Sequence, residues 1–164
     1  WKATRALSFL DPYKMELSFS TLKSISLTKS IDVWYLFPLS QATRALRKDG
    51  SILKSDKFKL NNLFGDLEWK NDFYKKDSQI NMFKEERLVR TDQNHICYNF
   101  KRRLKKHFGY VSCPLWLMNT KNSPLFLLYF LISNNDPIAI RIGKNIANHV
   151  IKKSQTYVCN CPSE

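Results

Sequence analysis

The chain has 164 residues, 43% of them hydrophobic and 25% charged, which is the size and composition of one folded domain. This excludes a large multidomain assembly and a disordered polypeptide. Lysine and arginine number 27 against 14 aspartates and glutamates, and the formal net charge of +13 favours a polyanionic partner. With only four glycines, the chain contains neither a G-x-G-x-x-G fingerprint nor a P-loop.

The four cysteines indicate a reducing compartment. Cys97 and Cys113 lie in apolar segments, where a buried free thiol is expected. Cys159 and Cys161 are separated by one residue, which is closer than the usual spacing of zinc-binding cysteines, and His149 is the one nearby further ligand. We therefore expect no metal site.

No charged segment precedes an apolar stretch as in a signal peptide, and the longest strongly apolar run is residues 124–132. A membrane-spanning helix needs about 20 apolar residues, so this run is too short. We expect a soluble, cytoplasmic protein with no membrane partner. The chain begins with Trp1 directly ahead of a predicted strand, which indicates a piece of a longer protein.

The first third of the chain alternates strands and helices. An apolar run predicts a buried strand over Ala6–Leu10, which ends because a proline follows. A helix is predicted over residues 20–29, with Ser18 or Ser20 as its N-cap. The continuous apolar run at 31–39 predicts a strand covered on both faces, as in parallel sheets flanked by helices.

Helices dominate the predicted middle of the chain. Ser40 is expected to cap a short helix that ends before Gly50. Residues 51–86 mix charged residues with isolated aromatics and indicate one or two short helices inserted between sheet elements. Residues 96–108 form the clearest helical pattern, because apolar side chains recur every four residues and cations occupy the other positions. These apolar residues are Phe100, Leu104 and Phe108.

The last third predicts two strands and a helix. The strands span residues 110–118 and 125–133, and Pro114 indicates an exposed edge or a bulge in the first of them. Asn135 or Asp136 then caps a helix that carries proline in its first turn. Four apolar residues of this helix recur at a spacing of four and form one stripe. They are Ile138, Ile142, Ile146 and Val150.

The order of these elements predicts an α/β fold over residues 1–153, with 51–86 as a helical insertion and 154–164 as a tail. The parallel part is too short for a complete doubly wound sheet. The pattern therefore indicates the C-terminal half of such a sheet, with the strands at 110–118 and 125–133 forming a hairpin-like edge.

A polar loop, Asp11-Pro12-Tyr13, follows the first strand, and open α/β sheets bind ligands at the carboxyl ends of their strands. This loop belongs to a set of segments that resembles the three-Cys-motif partner protein family, TcmP. The segments are 9–13 (FLDPY), 20–22 (STL), 28–39 (TKSIDVWYLFPL) and 124–128 (PLFLL). That family is similar to Rossmann-type S-adenosylmethionine-dependent methyltransferases and occurs on bacterial mobile elements and phages.

The resemblance implies a methyltransferase, or a fragment of one, that acts on an amino group of nucleic acid. Asp11 and the Pro12 carbonyl would accept hydrogen bonds from that amino group, Tyr13 would stack on an extruded base, and Phe37 and Pro38 would form a pocket wall. The implied cofactor is S-adenosylmethionine, held only with a missing N-terminal half that supplies the glycine-rich loop. A three-Cys-motif protein is an implied further partner. Alternatively, Asp11 caps a turn and Tyr13 packs as a lid on the core.

Seven cations lie between residues 87 and 106 against a single acid, Asp92. This density predicts a surface that binds phosphates of DNA or RNA, and the competing interpretation is a solvated helix face. The residues expected to face outward for this purpose are Arg102, Arg103, Lys105 and Lys106. The alternative to a methyltransferase is a non-catalytic module that binds nucleic acid or a partner protein on a degenerate methyltransferase fold.

Overall fold

The computed structural model describes residues 4–76 and 88–154. Its strands are β1 (Ala6–Leu10), β2 (Ile31–Phe37), β3 (Tyr74–Lys76), β4 (Leu88–Arg90), β5 (Tyr110–Val111), β6 (Leu115–Met118) and β7 (Pro124–Ile132). Its helices are α1 (Phe19–Leu27), α2 (Leu39–Ala45), α3 (Lys54–Phe64), α4 (Trp69–Phe73), α5 (Gln93–Lys105) and α6 (Pro137–Lys153). The predicted α/β class is confirmed.

Five strands form one mixed sheet in the spatial order β1-β2-β7-β5, and β6 also pairs with β7. β1 and β2 are parallel, with Ala6 opposite Ile31 and Leu10 opposite Tyr35. β7 runs antiparallel to β2, β5 and β6. An antiparallel unit therefore follows a short parallel pair, and β1 is an edge strand of this sheet. The short strands β3 and β4 pair separately with each other.

The strand predicted over residues 110–118 is divided, because residues 112–114 separate β5 from β6. Pro114 has no amide hydrogen to donate to a neighbouring strand, so the ladder breaks there. Among the described strands β5 and β6 pair only with β7, so Pro114 lies at a sheet edge as predicted, and the register shift of the β6–β7 pair falls between Leu117 and Met118 rather than at Pro114. Ser112, which lies between β5 and β6, is hydrogen-bonded to β7, since its Oγ accepts a hydrogen bond from the Phe130 amide at 2.9 Å.

Side-chain caps start two of the helices where the sequence predicts them. Ser18 caps α1, and its Oγ accepts a hydrogen bond from the Thr21 amide at 3.3 Å. Asp136 caps α6 by accepting two first-turn amide hydrogen bonds, at 2.8 and 3.1 Å. The predicted Ser40 cap of α2 is wrong: α2 begins after Pro38, which carries no capping side chain, and Ser40 already lies inside the first turn.

The core lies on one face of the sheet, where alternate side chains of β2 and β7 point, as the two-residue period of strands requires. These buried residues are Val33, Tyr35, Phe37, Leu127, Tyr129 and Leu131. Buried side chains of α1, α2, α3, α4 and α5 join the same cluster. Helices α3 and α4 fall within the segment 51–86 that is predicted to contain short helices, and their residues Leu60, Phe64 and Trp69 are fully buried.

The opposite face of the sheet is only partly covered. Within the described residues, α6 packs there, with Gly143, Ala147 and Ile151 buried. β1 lies at the sheet edge, and its side chains Leu7 and Phe9 are 66% and 62% exposed. The prediction of burial is therefore wrong for β1, and on β2 the side chains facing this way are only half-buried.

Gly65 ends α3 in the left-handed conformation, with φ +81°. A Cβ atom at this position would lie 2.6 Å from the Phe19 ring, which is itself buried against α5. Gly65→Ala therefore combines backbone strain with overpacking, and we expect it to lower the free energy of unfolding by about 3 kcal/mol. Urea denaturation monitored by circular dichroism measures this loss.

Gly50→Ala provides the matched control, because Gly50 also has positive φ, +76°, but its nearest atom to an added Cβ is the Leu88 Cβ at 3.0 Å. We expect this control to lose about 1 to 2 kcal/mol. Equal losses in the two variants would show that contact with Phe19 contributes nothing.

Candidate functional site

The Asp11-Pro12-Tyr13 loop lies at the carboxyl end of the parallel pair. β1 ends at Leu10, opposite Tyr35, so the loop runs beside the end of β2. Asp11 is exposed, Pro12 is half-buried and the Tyr13 side chain is 69% exposed. The structure thus presents these three residues together at the sheet edge where open α/β folds bind ligands.

The Asp11 carboxylate stabilises no turn or helix among the described residues. The turn that follows it is closed by the Glu16 amide, which donates to the Tyr13 carbonyl at 3.3 Å. Residues 4–76 and 88–154 include no hydrogen-bond or ion-pair partner for the Asp11 side chain. The alternative in which Asp11 caps a turn and Tyr13 is a core lid is therefore wrong, because neither side chain packs or bonds as it requires.

A cation stands next to the Tyr13 ring. The Lys14 Nζ lies 4.9 Å from the ring centroid, within the range of a cation–π contact. Lys14 has φ 55°, which turns the chain sharply after Tyr13. The loop therefore offers an acceptor, an aromatic face and a positive charge on consecutive residues.

The predicted pocket wall is wrong for Phe37. This side chain is fully buried, and its ring centroid lies 4.2 Å from that of Phe100 and 6.3 Å from that of Phe64. Phe37 shares the core face of β2 with Val33 and Tyr35 because residues two apart on a strand point the same way. Pro38 is also buried, at the start of α2. Neither residue lines either of two pockets among the described residues.

Helix α5 positions the basic segment. Asp92 caps it by accepting a hydrogen bond from the His95 amide at 2.7 Å. Phe100 and Leu104 are fully buried and Phe108 nearly so, which confirms the predicted apolar face. This face extends further round the helix than predicted.

Arg103 belongs to the buried face, so the prediction that it points outward is wrong. Its side chain is 9% exposed, and the guanidinium donates to the carboxylates of Asp66 and Asp72, with Nη2 2.6 Å from Asp72 Oδ2. It also donates to the Phe64 carbonyl at 3.3 Å. Arg103 stands three residues after Phe100, on the same side of the helix, where the α3–α4 segment covers it.

Arg102 joins this ion-pair network from the surface. Its Nη2 lies 3.2 Å from Asp72 Oδ1, so one carboxylate bridges two arginines. Two cations, Arg102 and Arg103, thus face two acids, Asp66 and Asp72, and the network is formally neutral. Of the four predicted phosphate-binding residues, Arg102, Lys105 and Lys106 are exposed and Arg103 is buried.

A second group of cations forms where α1 meets the end of α5. His107 packs edge-on against the Phe19 ring, with centroids 5.6 Å apart. Burial, then the charges of Lys23 and Lys106, lower the pKa of His107 below its ordinary value. The pattern of the sequence gives no signal for Lys23, because only the tertiary contact of Phe19 with His107 brings it to this surface.

Both cysteines of the described residues have polar neighbours. Cys97 is buried as predicted, and the Tyr129 hydroxyl donates to its carbonyl at 3.2 Å. Cys113 is half-buried beside the Lys101 Nζ, at 3.4 Å. Residues 4–76 and 88–154 contain no cluster of His, Cys, Asp and Glu side chains able to hold a metal ion. Cys159 and Cys161 lie outside the described residues.

The helices can also be compared with the dimensions of a bilayer. Among the helices that the structure describes, none combines the length and the apolar character that crossing a membrane requires.

Arg103→Gln tests the network. The substitution removes the buried guanidinium that the partly exposed Asp66 and Asp72 share, and we expect the free energy of unfolding to fall by about 2 kcal/mol. Lys106→Gln, an exposed control on the same helix, should change it by less than about 0.5 kcal/mol. Thermal and urea denaturation of the two variants measure the difference, and a stable Arg103→Gln protein would contradict the structural role.

No protein-family model matches this chain, and comparisons with curated proteins and with solved structures gave no match. The resemblance to the TcmP family accordingly stays a prediction based on short segments.

Proposed function

We propose that this chain is the substrate-binding part of a methyltransferase that acts on an amino group of nucleic acid, with Asp11, Pro12 and Tyr13 as the loop that orients the substrate. One observation carries the proposal: an acceptor, Asp11, and an aromatic ring, Tyr13, two residues apart in the chain, are both exposed at the carboxyl end of a parallel strand pair. Neither side chain is needed to hold the turn. Exposed loop groups without a structural task are typical of binding sites.

The loop residues supply positioning chemistry. The Asp11 carboxylate and the Pro12 carbonyl oxygen each accept a hydrogen bond from an exocyclic amino group, which fixes the direction of its nitrogen lone pair. Fixed orientation of a nucleophile lowers the entropy cost of the reaction. The Tyr13 ring offers a stacking surface for an unpaired base, and the adjacent Lys14 cation stands within reach of the nucleotide phosphate.

In this proposal, S-adenosylmethionine is bound by polypeptide outside the described residues. The sequence contains no glycine-rich turn, and among the described strands β1 pairs with β2 alone, which leaves its other edge for a further strand of a larger sheet. We therefore assign cofactor binding to polypeptide outside this chain. The role of residues 1–164 in the proposal is to bind and orient the nucleotide.

The strand arrangement supports the proposal. A parallel pair, β1 and β2, continues into an antiparallel unit made of β7 with β5 and β6, which is compatible with the C-terminal half of a Rossmann-like methyltransferase sheet. The free edge at β1 is on the side where the other half would add. Association with a three-Cys-motif protein and with mobile elements belongs to the same proposal and rests on the sequence resemblance.

The second candidate is a non-catalytic nucleic-acid-binding module. The observation that favours it is the cation group of Lys23 and Lys106, which lie near one side chain, His107, whose pKa is lowered first by burial and then by these two charges. No ion pair of either lysine with another described residue is present. These lysines therefore take the phosphate-binding role that Arg102 and Arg103 lose to the ion-pair network.

Asp11→Asn separates the two candidates. In the complete gene product we expect turnover of methyl transfer to nucleic acid to fall by at least about 100-fold, since an amide presents only one acceptor and a competing donor to the substrate amine. The melting temperature should not change, because Asp11 bonds no described residue. Transfer of labelled methyl groups from S-adenosylmethionine measures turnover.

Glu16→Gln is the matched control, an exposed carboxylate five residues away. It should retain full turnover. Calorimetric titration of S-adenosylmethionine into residues 1–164 and into the complete gene product shows which polypeptide holds the cofactor. Unchanged turnover in Asp11→Asn would remove the substrate-orienting role.

The salt dependence of nucleic-acid binding tests the cation group. Each phosphate contact contributes roughly 0.7 to 0.9 to the slope of log affinity against log salt. The double variant Lys23→Gln/Lys106→Gln should therefore flatten the slope by about 1.5 units. Arg102→Gln should leave it unchanged, because Asp72 neutralises this cation. Absence of affinity for both DNA and RNA at low salt would exclude a nucleic-acid-binding role for this surface.

A further inference from the structure

Helix α5 presents an aromatic ring to solvent in the middle of its outward side. Tyr98 is 47% exposed, whereas the two residues before it and the two after it are buried. Its ring contacts no other ring and its hydroxyl forms no hydrogen bond within residues 4–76 and 88–154. Tyr98 therefore contributes little to the core, and the face of its ring is accessible to a ligand.

Cations share this side of α5. The residues three, four and seven positions after Tyr98 lie on the same side of the helix, and they are Lys101, Arg102 and Lys105. The Arg102 charge is balanced by Asp72, but α5 itself contains no aspartate or glutamate. An aromatic ring among positive charges is typical of surfaces that bind single-stranded nucleic acid.

The same side of the helix leads to the cation group of Lys23 and Lys106. Tyr98 and Lys106 are eight residues apart, which corresponds to a rise of about 12 Å along the helix axis. Lys23 of α1 lies near the same side chain as Lys106, that of His107. A short run of unpaired nucleotides can therefore place one base on Tyr98 and its phosphates beside the two lysines.

Other parts of the fold bound this surface on both sides. Successive residues of a helix are about 100° apart, so Lys101 and Arg102 flank the direction of Tyr98 on opposite sides. Arg102 is paired with Asp72 of α4, and the Lys101 Nζ lies 3.4 Å from the Sγ of Cys113, between β5 and β6.

This position distinguishes a single strand from a duplex. The major groove of DNA has to enclose the helix that reads it, and such a helix stands clear of its own protein. α5 is instead set into the surface, with one side buried against the core and both flanks in contact with neighbouring segments. A single strand needs only the exposed side.

We infer that α5 binds single-stranded nucleic acid, with Tyr98 stacking on an unpaired base and Lys23 and Lys106 contacting phosphates. The inference rests on the nucleic-acid-binding role proposed above for the two lysines and names the form of nucleic acid that they bind. Every base has a π face, so the preference for sequence is weak. A single strand also offers unpaired bases to the Asp11-Pro12-Tyr13 loop without the cost of opening a duplex.

Fluorescence anisotropy of the full 164-residue chain with a labelled oligonucleotide, as a single strand and as a duplex, tests the inference. At low salt the single strand should bind at least about fivefold more tightly than the duplex. Tyr98→Ala should raise the dissociation constant of the single strand by at least about fivefold, because it removes the stacking ring. It should leave the salt dependence unchanged, since stacking neutralises no phosphate.

Two further variants serve as controls. Tyr98→Phe keeps the face of the ring and should retain the affinity of the parent chain. Phe58→Ala should also retain it, because Phe58 is an exposed aromatic residue that lies on α3. Circular dichroism of each variant confirms that folding is unchanged.

The outcomes separate this inference from the role of the lysines. Single-strand binding that Tyr98→Ala leaves unchanged overturns the inference, while Lys23 and Lys106 keep their phosphate-binding role. Equal or tighter binding of the duplex overturns it as well. A loss in Tyr98→Phe as large as that in Tyr98→Ala also overturns it, because the hydroxyl and not stacking is then required. Absence of binding to both forms contradicts the inference and the proposed role of the lysines together.

Discussion

The packing of Phe100 against the central strands organises this molecule. Its ring lies 4.2 Å from that of Phe37 and 5.9 Å from that of Tyr129, centroid to centroid, and so joins α5 to both β2 and β7. Phe19 of α1 and Phe64 of α3 contact the same ring, at 6.2 and 6.1 Å. Aromatic side chains bury large areas and therefore dominate the energy of a core. One residue thus gathers three helices on one face of the sheet.

Because most of the apolar packing lies on the Phe100 side of the sheet, the opposite face is only partly covered. The exposed surfaces around β1 follow from this difference. The core helices all lie on the Phe100 side, whereas α6 alone among the described helices packs on the outer face. β1 consequently has one face that the described helices leave exposed and one edge with which no described strand pairs. The loop after β1 is exposed for the same reason, because no described element packs over it.

Much of the fold is predictable from local patterns. The strand at Ala6–Leu10, the Ser18 cap and the apolar side of α5 follow from runs, caps and four-residue spacing that act over a few residues. Burial of Arg103 is not predictable in this way. It depends on Asp66 and Asp72, more than thirty residues earlier, which only the tertiary fold brings to α5.

The candidate site also combines features that local sequence patterns predict with features that depend on the tertiary fold. The position of Asp11 and Tyr13 at the end of a parallel strand follows from the apolar run before Pro12, and the structure confirms that placement. The prediction that Phe37 forms a pocket wall is wrong because side chains along β2 alternate between the two faces of the sheet. A continuous apolar run does not show which residues point to which face. Lys23 could not be found, since its proximity to His107 depends on the packing of α1 against α5.

Because β1 is hydrogen-bonded to β2 alone among the described strands, the backbone of the loop that it carries is restrained from one side. Its amides should exchange with solvent by local opening, ahead of those of β2 and β7. A strand that pairs with the free edge would restrain Asp11 and Tyr13 before any ligand arrives, and so reduce the ordering entropy that binding costs. Association at the edge and ligand affinity at the loop are then thermodynamically linked, each strengthening the other by the same factor.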